Sequence, residues 1–276
     1  MAPIAVLLVF TGLVPWIPGM YYSFFSYNLL SAESPKYIGL TNFRTLVFDQ
    51  EFITSLVRGV TFSISSALGG LFSGLVLALI LYKRFKGVSF FKVVMCLPLA
   101  IPPIAIGSMW KLMLNPQVGP IPYYLSKIGI TYNITADSGQ AFLTTLLLDV
   151  WHWLPLSALV LLAGLSTIPR DVIEAADVDG AEGISKFRHV ILPMIKYECL
   201  LVVLIRFMDS FRIFDEVWML TAGGPGSATR YLSIYLYSLV LRGWNMGYGA
   251  AFSLVFFYII EVFSWILFRT ISGGGK

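Results

Sequence analysis

The chain has 276 residues, of which 57% are hydrophobic and only 12% are charged, and its formal net charge is +4. A soluble domain carries about a quarter charged residues, so this chain has about half of the usual supply for a water-exposed surface. The composition excludes an ordinary soluble domain and predicts an integral membrane protein. The basic residues are scattered, so the positive charge does not indicate nucleic-acid binding.

Apolar runs long enough to cross a bilayer recur along the whole chain. A spanning segment needs about 20 largely apolar residues, and it must be helical because the bilayer core holds no water to bond the backbone. The pattern predicts an all-α, polytopic membrane protein with six transmembrane helices. The predicted spans are residues 4–25, 61–82, 88–114, 142–165, 195–221 and 250–268.

Prolines interrupt two of these runs. Pro15 and Pro18 lie in the first run, and Pro98, Pro102 and Pro103 lie in the third. Each proline removes a helix hydrogen bond and tends to kink the helix. We therefore predict bent helices there, which suit a transport cavity but also occur in membrane proteins generally.

The orientation follows from the short link between the second and third runs. Residues 83–87 hold three basic residues and no acidic one. Basic links of this kind stay in the cytoplasm. The link between the fourth and fifth runs, and both termini, are then also cytoplasmic, and we expect a multi-pass protein of the cytoplasmic (inner) membrane.

The link between the fourth and fifth runs, residues 166–193, is the one long polar segment on that predicted side. Pro169 can open a helix at its first position. Asp171 and Glu174 then follow in the first turns, where the helix dipole favours acids. Gly180 can adopt the left-handed conformation that ends a helix. The pattern predicts a helix–turn–helix elbow, which by itself need only connect two spans.

Within this elbow the sequence resembles the EAA loop of ABC importer permeases. That loop has the pattern EAA, three residues, Gly, nine residues, Ile, one residue, Leu-Pro, and every spacing matches here; Val190 stands at the isoleucine position. Residues 39–43, 97–102 and 214–226 also resemble the family, the last of them its sugar-permease branch. The elbow positions that match the family's common form are Glu174, Ala175, Ala176, Asp179, Gly180, Ala181, Phe187, Leu192 and Pro193.

The resemblance implies that residues 1–276 are a single transmembrane permease domain that imports a sugar or oligosaccharide. It implies an extracytoplasmic substrate-binding protein, a second homologous permease subunit, surrounding membrane lipid, and two ATPase subunits that dock on the elbow. The chain itself has no G-x-x-x-x-G-K-[ST] phosphate loop. We therefore expect no enzyme activity and no cofactor on this chain, with ATP and Mg used by the partner ATPase.

Ionisable residues inside the fifth run are candidates for the substrate pathway. An ionisable group in hydrocarbon costs about 2.5–3.5 kcal/mol on insertion scales, so such groups face a bundle interior or a wet cavity. The candidates are Arg206, Asp209, Arg212, Asp215 and Glu216. The first three are spaced by three residues and can pair along one helical face. Two interpretations stay open, an ion-pair ladder that fixes helix packing and a polar lining that binds sugar hydroxyls.

Other function classes are less well supported by the sequence. A membrane enzyme or a metal site would need clustered ligands or catalytic groups, and His152 and His189 have no companions at ligand spacing. An ion-coupled secondary transporter would show inverted repeats, and a channel would leave the elbow unexplained. Among importers, glycerol phosphate or another polyol is the alternative substrate, and a phosphate would favour unpaired arginines.

Overall fold

The computed structural model describes residues 7, 9–12, 14, 16–83 and 85–273, with all side chains except those of residues 267 and 270–273. Pro15, the start of the first apolar run and Arg84 of the basic link lie outside the described residues. The described part is mostly helical, as predicted, with one short antiparallel hairpin in which Phe25 pairs with Tyr37.

The helices and strands follow one another along the chain, and residues 9–12 are also helical. Single turns of 3-10 or π helix lie at Leu97–Ala100, Phe187–Ile191 and Ser238–Arg242. The elements are α1 (Trp16–Tyr22), β1 (Phe25–Ser26), β2 (Lys36–Tyr37), α2 (Thr41–Phe48), α3 (Gln50–Tyr82), α4 (Val88–Met95), α5 (Pro103–Met113), α6 (Pro120–Lys127), α7 (Ser138–Thr167), α8 (Arg170–Val178), α9 (Gly183–Lys186), α10 (Leu192–Met194), α11 (Lys196–Phe211), α12 (Asp215–Thr221), α13 (Leu232–Tyr237) and α14 (Met246–Gly273).

Three of the described helices are long and apolar enough to cross a membrane by themselves. They are α3, α7 and the part of α14 from Met246 to Ile266, and they coincide with the second, fourth and sixth predicted runs. Helix α7 begins where the Asp137 carboxylate accepts a hydrogen bond from the Gln140 amide at 2.8 Å, which is an N-cap that satisfies a free amide of the first turn. It ends at Thr167, two residues before Pro169.

The third predicted run is a bent pair of helices and not one straight helix. Segments Val88–Ala100 and Pro103–Met113 meet at an angle of 94°. Pro102 and Pro103 lie at the break, where a proline has no amide to continue the helix. The predicted bend is therefore confirmed in this run, and its two arms are long and apolar enough for a span only when taken together.

The fifth predicted run is wrong as a single helix. Helix α11 ends at Phe211, Phe214 has the non-helical angles φ −139° and ψ −62°, and α12 begins only at Asp215. Asp215 and Glu216 then occupy the first turn of α12, where the helix dipole favours acids. The charged residues therefore mark a helix end and a helix start within the run.

The described chain divides into two compact units. The first consists of residues 1–60 and 230–263. In it, the buried Asn42 side chain donates hydrogen bonds to the carbonyls of Ser23 and Phe25, both at 2.9 Å, and so fixes α2 against the start of the hairpin. The Asp49 carboxylate caps α3 and also accepts hydrogen bonds from two tyrosine hydroxyls, those of Tyr235 and Tyr248, at 2.6 Å each.

The second unit consists of residues 61–229 and 264–276 and holds both candidate functional regions. Its main core is a buried aliphatic cluster on α3, α7 and α11 and at the adjoining ends of the last two, formed by Ala78, Leu81, Leu161, Leu162, Leu165, Ile168, Ile195 and Val202. Helices α3 and α7 approach closely at Gly74, where a Cβ atom would lie 2.7 Å from Cβ of Ser157. A side chain larger than hydrogen would push the two helices apart at this point.

Candidate functional site

The elbow, residues 166–193, forms the predicted helix–turn–helix. Helix α8 follows Pro169, which occupies the cap position, and Gly180 ends it with a left-handed φ of +72°. The amide of Ala181 donates to the carbonyl of Ala176 at 2.9 Å, and the amide of Gly180 donates to the carbonyl of Asp177 at 3.2 Å. These two bonds form a Schellman motif, which requires the left-handed residue at the position of Gly180.

The elbow is anchored on the core of the second unit. Ile173 and Ile191 pack against the aliphatic cluster of α3, α7 and α11, and Ala176 is buried. Lys186 and Asp177 form an ion pair at 2.6 Å that joins α9 to α8. Since α7 runs directly into the elbow and α11 follows it, a displacement of the elbow would be transmitted to both helices.

The outer face of the elbow is exposed and carries aliphatic side chains among its polar ones. The side chains of Val178 and Ile184 are 87% and 84% exposed. Among the predicted positions, Glu174, Ala175, Asp179, Gly180 and Pro193 are exposed, Ala181, Phe187 and Leu192 are half-buried, and Ala176 faces the core. Exposed aliphatic side chains beside a polar rim are typical of a protein–protein contact surface.

The second candidate region is a polar cavity of about 180 Å³ within the same unit. It lies where α7 passes the break between α11 and α12. Aromatic side chains of Trp153 and Phe214 and the ring of Pro103 form part of its wall. Its charged lining consists of Asp149, Asp209, Arg212, Asp215 and Glu216.

Arg206 is the centre of a buried ion-pair network beside this cavity. Its Nη2 lies 2.5 Å from Oδ2 of Asp149 and 3.0 Å from the hydroxyl of Ser66, and its Nη1 lies 3.2 Å from Oδ2 of Asp209. Ser66 also donates to Asp149, and the guanidinium lies 5.3 Å from the Trp153 ring centroid. Arg206 and Asp149 are each 1% exposed. The network joins α3, α7 and α11.

Glu216 has a separate buried partner. Its carboxylate lies 3.0 Å from Nδ1 of His152, and both side chains are buried. No group of three or more metal-ligating side chains occurs among the residues that the structure describes.

The structure separates the five candidates of the fifth run. Asp209, Arg212, Asp215 and Glu216 line the cavity, whereas Arg206 does not reach it and holds the network. The predicted pairing at spacing three is present, since Asp209 contacts Arg206 at 3.2 Å and Arg212 at 3.5 Å.

Sequence reasoning missed the residues on α7 that complete this region, namely Asp149, His152 and Trp153. His152 and Trp153 follow Asp149 by three and four residues inside an apolar run, so both lie on the same helical face as Asp149. An acid in the middle of a spanning run is itself a signal of a functional or paired position.

Comparison with known proteins identifies the family of this chain. Residues 70–272 match the family model described as "Binding-protein-dependent transport system inner membrane component". The trehalose/maltose transport system permease protein MalF of Thermococcus litoralis is 34% identical over 84% of this chain and 78% of its own length. The sn-glycerol-3-phosphate transport system permease protein UgpA of Agrobacterium fabrum is 30% identical over 87% of this chain and 82% of its own length.

The fold also matches a solved structure. A chain of a bacterial ABC transporter involved in the import of the acidic polysaccharide alginate superposes with a TM-score of 0.83 at 20% identity, over 99% of this chain and 94% of that one. At this identity the match concerns the fold alone. With the family model covering most of the sequence, the chain belongs to the inner-membrane components of binding-protein-dependent transport systems.

Proposed function

We propose that the chain is the permease subunit of an ATP-driven ABC importer for a neutral sugar or oligosaccharide. The observation that carries this proposal is the elbow, which exposes Glu174, Ala175 and Val178 while its inner face packs on the core. A surface of this kind, continuous with the candidate membrane helix α7 and with α11, is suited to receive a partner that moves. The similarity to a trehalose/maltose permease supports the substrate class.

The elbow is proposed as the docking site of an ATPase subunit. Glu174 would make polar contact with that subunit, the small Ala175 would allow close approach, and Gly180 would set the turn. Coupling requires contacts that differ between two states. Because the elbow is continuous with α7 and α11, closure of the ATPase would shift both helices and the cavity between them.

The proposed topology has six membrane spans. Helices α3, α7 and α14 supply three, and the bent pair α4–α5 supplies a fourth as one broken span. The first run and the broken α11–α12 segment complete the set. The elbow and both termini would lie in the cytoplasm, on the side of the basic link at residues 83–87.

The proposal implies an assembly. The extracytoplasmic binding protein would deliver substrate, a second homologous permease would complete the pathway, and two ATPase subunits would dock on the two elbows. ATP and Mg would be used by those subunits, and no cofactor is proposed for this chain.

The charges of the cavity favour a neutral polyhydroxyl ligand over a phosphate. Asp209, Asp215 and Glu216 line it with Arg212, and Asp209 lies 3.5 Å from that guanidinium. The other arginine, Arg206, is occupied by Asp149 and Asp209. A phosphate would therefore meet excess negative charge, whereas sugar hydroxyls can donate to the carboxylates, and Trp153 offers an aromatic face.

The docking claim is tested by co-purification from detergent-solubilised membranes of the native host. We expect the wild-type chain to retain an ATPase subunit and the double variant Glu174→Lys with Gly180→Val to lose it. Valine is strained at a left-handed φ, and the lysine reverses the charge. Glu33→Lys, an exposed change in the first unit, is the control. Absence of an ATPase from the wild-type preparation would contradict the proposal.

The substrate class is tested by uptake in cells that depend on this chain. Asp215 is exposed in the cavity, so Asp215→Asn removes one acceptor with little effect on packing. We expect uptake of labelled trehalose or maltose to fall about tenfold, as for loss of a charged hydrogen bond, with Glu33→Gln as control. Uptake of glycerol phosphate in place of the disaccharides would favour the alternative substrate.

A further inference from the structure

A second cavity, of about 680 Å³, opens at the start of the elbow. Two cations, Lys92 of α4 and Arg170 of α8, line it together with Tyr82 and Ser166, and none of the described residues in its lining is acidic. Among the described residues, neither cation has an ion-pair partner. Two unpaired cations at one cavity attract an anion.

The remaining wall of this cavity is apolar. It is formed by Leu81, Val88, Leu162 and Ile168. A small hydrated anion bound to the two cations would leave these apolar side chains without a ligand against them. A ligand with an anionic head and an apolar tail would satisfy both parts.

The outer face of α4 connects this cavity to the surrounding lipid. Phe90 and Val93 are 74% and 65% exposed, and Phe91 and Val94 are also exposed. Exposing such side chains to water costs about 25 cal/mol per Å² of apolar surface, so this face belongs in the acyl region of the bilayer. Lys92 and Val88 of the same helix line the cavity, so the cavity lies at the edge of that region.

We propose that this cavity binds one anionic phospholipid, with its phosphate held by Lys92 and Arg170 and the start of an acyl chain against the apolar wall. Arg170 is the first residue of α8. A bound lipid would therefore hold the first helix of the elbow to α4, and the anionic lipid content of the membrane would influence how firmly the elbow is positioned. The lipid site itself does not depend on the transported substrate.

The test is native mass spectrometry of the full chain in detergent, titrated with palmitoyl-oleoyl phosphatidylglycerol or with phosphatidylcholine of the same acyl chains. We expect one phosphatidylglycerol per chain to be retained in preference to phosphatidylcholine. The variant Lys92→Gln with Arg170→Gln should weaken this binding about thirtyfold, since each cation near an anionic headgroup contributes about fivefold.

Two matched variants separate a built site from diffuse attraction. Lys83→Gln with Lys86→Gln removes the same charge from the neighbouring link, outside the cavity, and should leave binding within about twofold of wild type. Lys92→Arg with Arg170→Lys keeps the charge and should retain the lipid. If the double glutamine variant fails to fold, Lys92→Gln alone should weaken binding about fivefold.

Several results would overturn the proposal. Equal retention of phosphatidylcholine would show that the headgroup charge is not recognised. An equal loss in the Lys83 and Lys86 variant would indicate diffuse surface attraction. Displacement of the lipid by millimolar inorganic phosphate would identify a site for a free anion.

Discussion

Arg206 shows how a permanent charge is accommodated inside an apolar bundle. The guanidinium contacts Asp149, Asp209 and Ser66 and has a tryptophan ring beside it. A buried ion pair is costly to desolvate, so its net contribution to stability is small. Removing one partner is nevertheless strongly destabilising, because the other charge is left buried and uncompensated. The interpretation of the fifth-run charges as a packing ladder therefore describes Arg206 and its partner Asp209. Substrate binding by the charges that line the cavity stays a prediction.

Removing only the cation should leave Asp149 as an uncompensated buried charge. We expect Arg206→Met to destabilise the chain by about 3–5 kcal/mol. Adding Asp149→Leu should restore most of this loss, with a remainder from the Ser66 hydroxyl that then lacks its acceptor. Thermal unfolding in detergent measures both changes. Equal stability of Arg206→Met and wild type would show that the network does not hold the three helices together.

Asp49 provides a pH-dependent contact in the first unit. Burial raises the pKa of Asp49, but hydrogen bonds from the hydroxyls of Tyr235 and Tyr248 and from the amides of Phe52 and Glu51 together hold that pKa below its ordinary value of 3.8. A lowered carboxyl pKa stabilises the fold at pH above that ordinary value, and the contribution is lost as the pH falls through the lowered pKa.

Loss of the two hydroxyls should raise the pKa of Asp49 towards or above its ordinary value. We expect Tyr235→Phe with Tyr248→Phe to begin acid unfolding at a higher pH than wild type, followed by tryptophan fluorescence in detergent. Tyr258→Phe changes an exposed tyrosine of α14 and serves as the control. An unchanged acid transition in the double variant would contradict the assignment.

At the scale of elements, the contact between α5 and α12 positions the polar cavity. Gly107 of α5 lies so close to α12 that a Cβ atom would be 2.6 Å from the carbonyl oxygen of Glu216. Pro103 and Asp215, at the starts of the two helices, both line the cavity. The close approach at this glycine therefore helps to set the width of the cavity.

A methyl group at this position should force the two helices apart. We expect Gly107→Ala to destabilise the chain by about 1–3 kcal/mol, as for overpacking of a dense core. Gly19→Ala in α1 is the matched control, since a Cβ atom there would have no neighbour within 4 Å. The test compares the melting temperatures of the two variants. Equal values would show that α5 and α12 can separate without a loss of stability.

Local signals predicted some of these elements and missed others. The ends of α8 were predictable because Pro169, the early acids and Gly180 are local signals, and the structure places Gly180 in the left-handed conformation. The break after Phe211 was not predicted, because hydropathy averages over the charged residues and reports one long run. Asp149 was missed because its ion-pair partner, Arg206, lies 57 residues away in sequence.

At the scale of the whole molecule, the two candidate regions share helices. The elbow connects α7 to α11, and these helices carry Asp149 and Trp153 on one side of the cavity and Asp209 on the other. Family membership was predictable from the spacing of the elbow motif. The full lining of the polar cavity was not, because its side chains come from separate parts of the sequence.

We propose that the elbow meets an ATPase subunit in the cytoplasm. The most direct measurement places a photo-crosslinking amino acid at Val178, on the exposed tip of the elbow, in living cells. The control position is Tyr37, which is 69% exposed in the hairpin of the first unit. We predict that Val178 captures a protein whose tryptic peptides include a G-x-x-x-x-G-K-[ST] phosphate loop, and that Tyr37 does not. Capture of that protein from Tyr37, or of no ATPase from Val178, would contradict the account.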